Sequence, residues 1–328
     1  MIADRDAVAP AAPPPAALPS LAGEGGRLAR FRPPFEFGDF FSPEDTLLCL
    51  LATEWALDRL TARRADQGAP PPARLVELTS GSAVVALAPL DGRPGLRSWG
   101  ADVDPEAVAR ARRNAAALGL ADRARVRHLG LFDRRIAAWL RHVAPDLVAC
   151  NPPYVPEPPG SPLALVAGAG ADGAEHPRRT IAACARAGVG RLVLSWCSLG
   201  DPVGVARAAA RRGYALEALW ACALADGEYT GSAHPYLRTL PTAWLAEDAG
   251  TLALLAPDGA ACFGYLLLAG SFVAADEAGW PAAEHPTRAR AGVRLVGRLV
   301  RRFARRGLAP LAAPPSPSRS DAPGSAAT

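Results

Sequence analysis

The hydrophobic pattern along the chain switches repeatedly between a helical and a strand-like period. Ser42-Pro43-Glu44-Asp45 has the form of a helix start, with a serine cap, proline at the first helical position and acids in the first turn. Leu47, Leu48, Leu51, Trp55 and Leu60 continue it on helical spacing. A turn at 68–72 leads to a short apolar strand at 74–78. A loop of small residues, Thr79-Ser80-Gly81-Ser82, follows, and then a second helix from Ala83. Further strands are predicted at 99–103, 124–129, 146–150, 191–196 and 261–268, with 214–224 extended. Helices are predicted from Asp104 to near Gly119, at 177–187 and at 203–212, while 226–248 reads as irregular. Strands alternating with helices predict an α/β fold, a mostly parallel sheet with helices on both faces. Such sheets bind ligands beyond the carboxyl ends of their strands. The loops after the first, second and fourth predicted strands gather there.

Composition sets the limits of the folded body. The chain has 328 residues, half of them hydrophobic, enough for one large domain with a small appendage. The Pro/Ala-rich tails 1–30 and 310–328 carry too little apolar surface to offset the entropy of ordering, and are predicted to be disordered. The main domain is expected at 31–270, with a short helical lead-in at 31–70, and a basic helical appendage at 271–309. No lysine occurs, so all 36 basic residues are arginine. The net charge of +4 is too small to imply nucleic acid by itself. Residues 286–309, however, hold eight arginines and no acid. There Val293, Val296, Val300 and Phe303 form an apolar stripe, and Arg294, Arg298, Arg301, Arg302, Arg305 and Arg306 cover the other faces. That pattern fits a helix packed on the domain with a solvated arginine face, or a phosphate-binding face.

The six cysteines stand singly, with no zinc-type spacing, and read as small core residues in a reducing compartment. The N-terminus opens no signal-peptide run, and Pro257-Asp258-Gly259 interrupts the most apolar stretch. A cytoplasmic protein without membrane span or metal is therefore expected.

Four segments carry candidate chemistry. In Val148-Ala149-Cys150-Asn151-Pro152-Pro153-Tyr154, the Asn151 side-chain oxygen and the Pro152 carbonyl can each accept one N–H of an NH2 group. Tyr154 offers a ring to a flat acceptor. A plain proline-rich turn is the competing reading. In Ala101-Asp102-Val103-Asp104-Pro105-Glu106, an acid at a strand end can accept ribose hydroxyls, while Asp104 caps the next helix. Asp102 as a second cap is the alternative. Glu77-Leu78-Thr79-Ser80-Gly81-Ser82-Ala83 and Leu129-Gly130-Leu131-Phe132-Asp133 are the remaining two.

Together these segments resemble the class I S-adenosylmethionine-dependent methyltransferases. The likeness is to the Asn-Pro-Pro-Tyr branch, which includes release-factor glutamine methyltransferases and adenine-amino methyltransferases, and it covers roughly residues 35–270. The resemblance implies a Rossmann-like sheet, mostly parallel, with a terminal antiparallel strand. It implies S-adenosyl-L-methionine as cofactor and Asn151, Pro152 and Tyr154 as catalytic residues. Glu77, Thr79, Gly81, Asp102, Phe132, Asp133 and Asn151 would contact the cofactor. The sequence departs from the family at Thr79 and Ala83, where glycines are usual, and at Gly130, where an acid often meets the adenine. Asp133 is then a substitute. Asp172-Gly173 matches a family segment or is an ordinary glycine turn. The implied reaction is N-methylation of a planar nitrogen on a macromolecule, a protein glutamine or an RNA or DNA base. A small-molecule methyltransferase, with 226–248 as a lid, and a non-catalytic scaffold of the same fold are the alternatives.

Overall fold

The computed structural model describes residues 16–17, 28–29, 31–38, 41–158, 160, 167–256, 258 and 262–306. Its centre is one eight-stranded sheet. In chain order the strands are β1 (Ala16–Ala17), β2 (Arg74–Leu78), β3 (Arg97–Asp102), β4 (Ala124–His128), β5 (Leu147–Cys150), β6 (Arg191–Cys197), β7 (Tyr214–Ala225) and β8 (Gly264–Ala274). Their spatial order is β1-β7-β8-β6-β5-β2-β3-β4. Every pairing is parallel except those of β8, which lies antiparallel between β6 and β7. The antiparallel strand is thus last in the chain but interior in space. It extends well past the predicted 261–268, because residues 269–274 remain apolar or small and pair on both sides.

The continuous burial of β5 and β6 reflects cover on both faces of the sheet. Alternate residues feed two cores: Leu75, Val193 and Leu267 enter one, and Val76, Leu192 and Leu266 the other. On the first face lies α1 (Pro43–Asp66), with the single-turn α2 (Val84–Leu87) and α3 (Pro105–Ala117). On the second lie α4 (Ile136–Val143), α5 (Glu175–Ala187) and α6 (Pro202–Arg211). Helix α4 has no counterpart among the predicted elements, its eight residues being too short to carry a clear period. The stretch that reads as irregular holds α7 (Glu228–Leu237), masked in the sequence by an internal Pro235, and α8 (Ala249–Leu255) follows it. The lead-in before α1 is not helical at 31–38; Phe31, Phe35 and Phe37 cluster there instead, and Phe37 meets Phe41 at a ring separation of 4.1 Å.

The basic segment forms α9 (His285–Arg306), which packs on α6 and β7. Val296, Val300 and Phe303 are fully buried, while Arg294, Arg298, Arg301, Arg302 and Arg305 are exposed. Of the tails expected to be disordered, Ala16–Ala17 runs beside β7, whose edge groups would otherwise lack a strand partner. Apart from that pair and residues 28–29, those segments lie outside the described residues. No helix among the described residues is long and apolar enough to cross a membrane.

The burial of Phe303 ties α9 to the main core. Phe303→Ala should lower unfolding free energy by about 3–5 kcal/mol in urea melts. A change below about 1 kcal/mol would mean that α9 is a separable appendage.

Candidate functional site

Parallel register sets the site. Leu78 pairs with Ala101 of β3 and with Cys150 of β5, so the loops leaving β2, β3 and β5 open on one edge. The first loop has an unusual backbone. Thr79 (φ +54°), Gly81 (φ +50°) and Ala83 (φ +64°) all lie in the left-handed region, at alternate positions. That conformation costs a side-chain-bearing residue roughly 1–2 kcal/mol. Compensation comes from contacts. The Thr79 hydroxyl has the Leu78 carbonyl at 2.5 Å and the Asn151 carbonyl at 3.2 Å as acceptors for its one proton and lies 3.4 Å from the Cys150 sulfur, bringing this loop against the one after β5. Glu77 is buried, and one of its oxygens accepts from the Ala86 amide at 2.8 Å. Burial pushes its pKa well above the usual range; the Asp102 charge adds to this and the Ala86 amide opposes it.

Asp102 ends β3 and joins two loops. Its oxygens accept from Gly81 N at 2.8 Å and Asp104 N at 3.0 Å, whereas Asp104 is the helix cap, accepting from Glu106 N at 2.9 Å. Phe132, beyond β4, is 43% exposed and Val103, directly after β3, 53%, two large apolar side chains left open on the cleft. Phe132 meets the His176 ring edge-on, and the Arg179 guanidinium sits 5.3 Å from its centroid. Asp133 borders the same cleft, but its carboxylate is held by the Arg135 side chain and backbone amide, which pull its pKa down to about 2.

The loop after β5 brings Asn151, Pro152 and Tyr154 to the cleft. The Asn151 side-chain oxygen is buried and has no hydrogen-bond partner among the described residues. Tyr154 is only 8% exposed, and its hydroxyl donates to Asp45 in the first turn of α1. The ring borders the cleft, yet it is anchored rather than freely presented. Asp45 is itself 8% exposed. Burial raises its pKa to about 6, against the Tyr154 and Ser42 hydroxyls. In the sequence Asp45 reads only as a first-turn acid favourable to the helix dipole. Its further signal is its place three and four residues before Leu48 and Cys49, on the buried stripe of α1.

Glu77, Thr79, Gly81, Asp102, Phe132, Asp133, Asn151, Pro152 and Tyr154 all line a single cleft of about 1480 Å³. One end lies over the β2, β3 and β4 loops. The other is bounded by the 151–155 loop, Phe41, Glu44, Asp45, the start of α7 at Glu228 and Tyr229, and Tyr265. Arg110 and Arg135 are the arginines among its lining residues, and Arg135 is paired with Asp133. No group of three or more His, Cys, Asp or Glu suited to a metal occurs among the described residues.

No family model matches the chain. The release factor glutamine methyltransferase of Rhodospirillum rubrum is 44% identical over 85 residues, 25% of this chain and 24% of that protein. The ribosomal protein uL3 glutamine methyltransferase of Bordetella pertussis is 32% identical over 150 residues, 43% of this chain and 45% of that protein. The chain resembles class I methyltransferases of the glutamine-modifying branch. It spans about a quarter to a half of the length of these curated relatives. Among solved structures, the ribosomal protein L11 methylase of Lactobacillus delbrueckii subsp. bulgaricus aligns over 58% of this chain and 77% of that one, with 18% identity and a TM-score of 0.39.

The departures from the methyltransferase pattern have local explanations. Thr79 and Ala83 keep the backbone shape of the glycines usual there. At Gly130, a Cβ would lie 3.1 Å from a Val103 methyl, so a side chain there would require the exposed valine to shift by a few tenths of an ångström. Gly173, in the Asp172-Gly173 segment, supports the Asn151–Tyr154 loop directly. It has φ +63°, and a Cβ there would sit 2.6 Å from the Tyr154 carbonyl oxygen.

That contact makes a paired test. Gly188→Ala, at φ +71° with open space around it, should cost about 1–2 kcal/mol, the left-handed penalty alone. Gly173→Ala adds the overlap with Tyr154 and should cost roughly 3 kcal/mol or more in the same denaturant assay. Equal losses would contradict the proposed support of the loop.

Proposed function

We propose that this chain is an S-adenosylmethionine-dependent N-methyltransferase whose acceptor is a glutamine side-chain amide of a protein. The observation that carries the reading is the buried Asn151 side-chain oxygen, without a partner among the described residues, on a residue that lines the same cleft as Asp102. A buried acceptor left unsatisfied is costly, and an incoming N–H relieves it.

The residues present fit the cofactor. Asp102 offers its carboxylate to ribose hydroxyls, and Val103 and Phe132 give an apolar slot for a flat base. The left-handed loop, with nothing within 4 Å of a Cβ at Gly81, leaves bare backbone for the methionine part. When bound, S-adenosylmethionine supplies an electrophilic methyl on a sulfonium. An amide nitrogen is a poor nucleophile because its lone pair is delocalised. Asn151 and the Pro152 carbonyl would accept its two N–H groups, orient the nitrogen and favour the charge that builds as the new bond forms. Thr79 holds the Asn151 carbonyl, and Asp45 holds Tyr154, so the loop is fixed before substrate arrives.

Charge supports a protein acceptor over a nucleic acid. Glu44, Asp45 and Glu228 border the acceptor end, where phosphates would be repelled rather than neutralised. The acceptors named for the relatives, a release factor and a ribosomal protein, agree with this.

Asn151→Ala should bind S-adenosylmethionine nearly as wild type in calorimetry but lose methyl transfer to cell extract by roughly 10²-fold or more. An alanine variant with full transfer would remove Asn151 from the acceptor site. Asp102→Ala should weaken cofactor binding by about 1.5–3 kcal/mol in the same calorimetric titration. An unchanged affinity would refute the ribose contact.

A further inference from the structure

The acceptor end of the cleft holds a second buried oxygen without a use. Asp45 accepts the Tyr154 hydroxyl on Oδ2 and has the Ser42 hydroxyl close to its carboxylate, while Oδ1 makes no hydrogen bond of normal geometry among the described residues. The side chain is 8% exposed and lines the cleft. An unmatched oxygen on a carboxylate is a stronger demand for a donor than one on an amide. The neighbouring Glu44 already places a carboxylate at the positive end of α1.

We propose that Asp45 is a specificity-determining residue that binds a backbone N–H of the peptide carrying the methylated glutamine. This rests on the glutamine reading and deepens it. The two N–H groups of the side-chain amide are matched by Asn151 and the Pro152 carbonyl. The donors a peptidyl glutamine still has are its main-chain amides. The amino group of an adenine in a nucleic acid leaves no further N–H on the base, so an added acceptor would bring nothing there. Asp45 therefore selects a peptide over a free primary amide and over an adenine.

The same geometry predicts a pH dependence. Facing Asp45 are Glu44 on its own helix, Tyr154 on the acceptor loop, Tyr265 on β8, Cys197 on β6 and Cys222 on β7. Burial pushes both tyrosines and both cysteines upward, away from neutrality. Asp45 is raised to about 6, so its charged, accepting form dominates above that pH and is lost below it.

The test uses the full chain saturated with S-adenosylhomocysteine and two probes, N-acetylglutamine N-methylamide and propionamide, followed by ligand-observed NMR. Propionamide has the side-chain amide without the backbone N–H groups. Wild type at about pH 8 should bind the blocked glutamine roughly tenfold or more tighter than propionamide, and lose most of that preference at about pH 5. Asp45→Asn keeps an acceptor for Tyr154 but turns the free position into a donor. It should show no preference at either pH, binding of the blocked glutamine falling to the level of propionamide. A purely structural role for Asp45 would weaken both probes together. Asn151→Ala should weaken both probes, which tests the underlying reading separately. Should Asn151→Ala weaken them while Asp45→Asn retains the full preference, the Asp45 assignment is overturned and the glutamine reading stands. A wild type that binds neither probe removes both. Should Asp45→Asn fail to fold, the wild-type pH dependence decides the matter without any substitution: a preference equally strong at both pH values overturns the assignment.

Discussion

Leu78 stands in register between Ala101 and Cys150, and the position of every candidate group follows from that alignment. A parallel sheet has all its loops of one kind on one edge. When three strands end level, the loops that follow meet. Asp102 can then bond Gly81 across two strands' ends, and Thr79 can reach the Asn151 carbonyl. A slip of one residue in β5 would turn its side chains to the other face and break the Thr79–Asn151 contact. The burial on both faces of β5 and β6 secures the register, because neither core tolerates the exchange.

Much of this is legible in the sequence. The apolar runs at the heart of β5 (147–150) and β6 (192–194) are short and unbroken, which is how doubly covered strands read. The Asn-Pro-Pro-Tyr segment follows such a run. The spacing of Thr79, Gly81 and Ala83 marks the loop, although only the structure shows that threonine and alanine adopt the glycine conformation. Other features have no local signal. Helix α4 is too short for a period to emerge, and Pro235 inside α7 reads as a breaker. The partnership of Asp45 with Tyr154 joins residues 109 apart in the chain, and no pattern in either segment announces it. The exposure of Phe132 on the cleft likewise has no local signal, since an aromatic residue after a strand fits a core position equally well.

At the cofactor end, Asp102 has its oxygens matched by backbone amides. At the acceptor end, the Asn151 and Asp45 oxygens are buried and unmatched. Unsatisfied acceptors cost folding free energy, and an incoming N–H would relieve each of these two. Thr79 adds backbone strain in the loop beside them. The side chain whose backbone is strained also fixes the carbonyl of Asn151, which couples the two ends.

The central claim is tested most directly by locating the transferred methyl. Purified protein would be incubated with isotopically labelled S-adenosylmethionine and cell extract, and the labelled product mapped by tandem mass spectrometry. A glutamine-directed enzyme should leave a single methyl on the side-chain nitrogen of a protein glutamine. A label found on a nucleobase, or on no macromolecule at all, would contradict the claim.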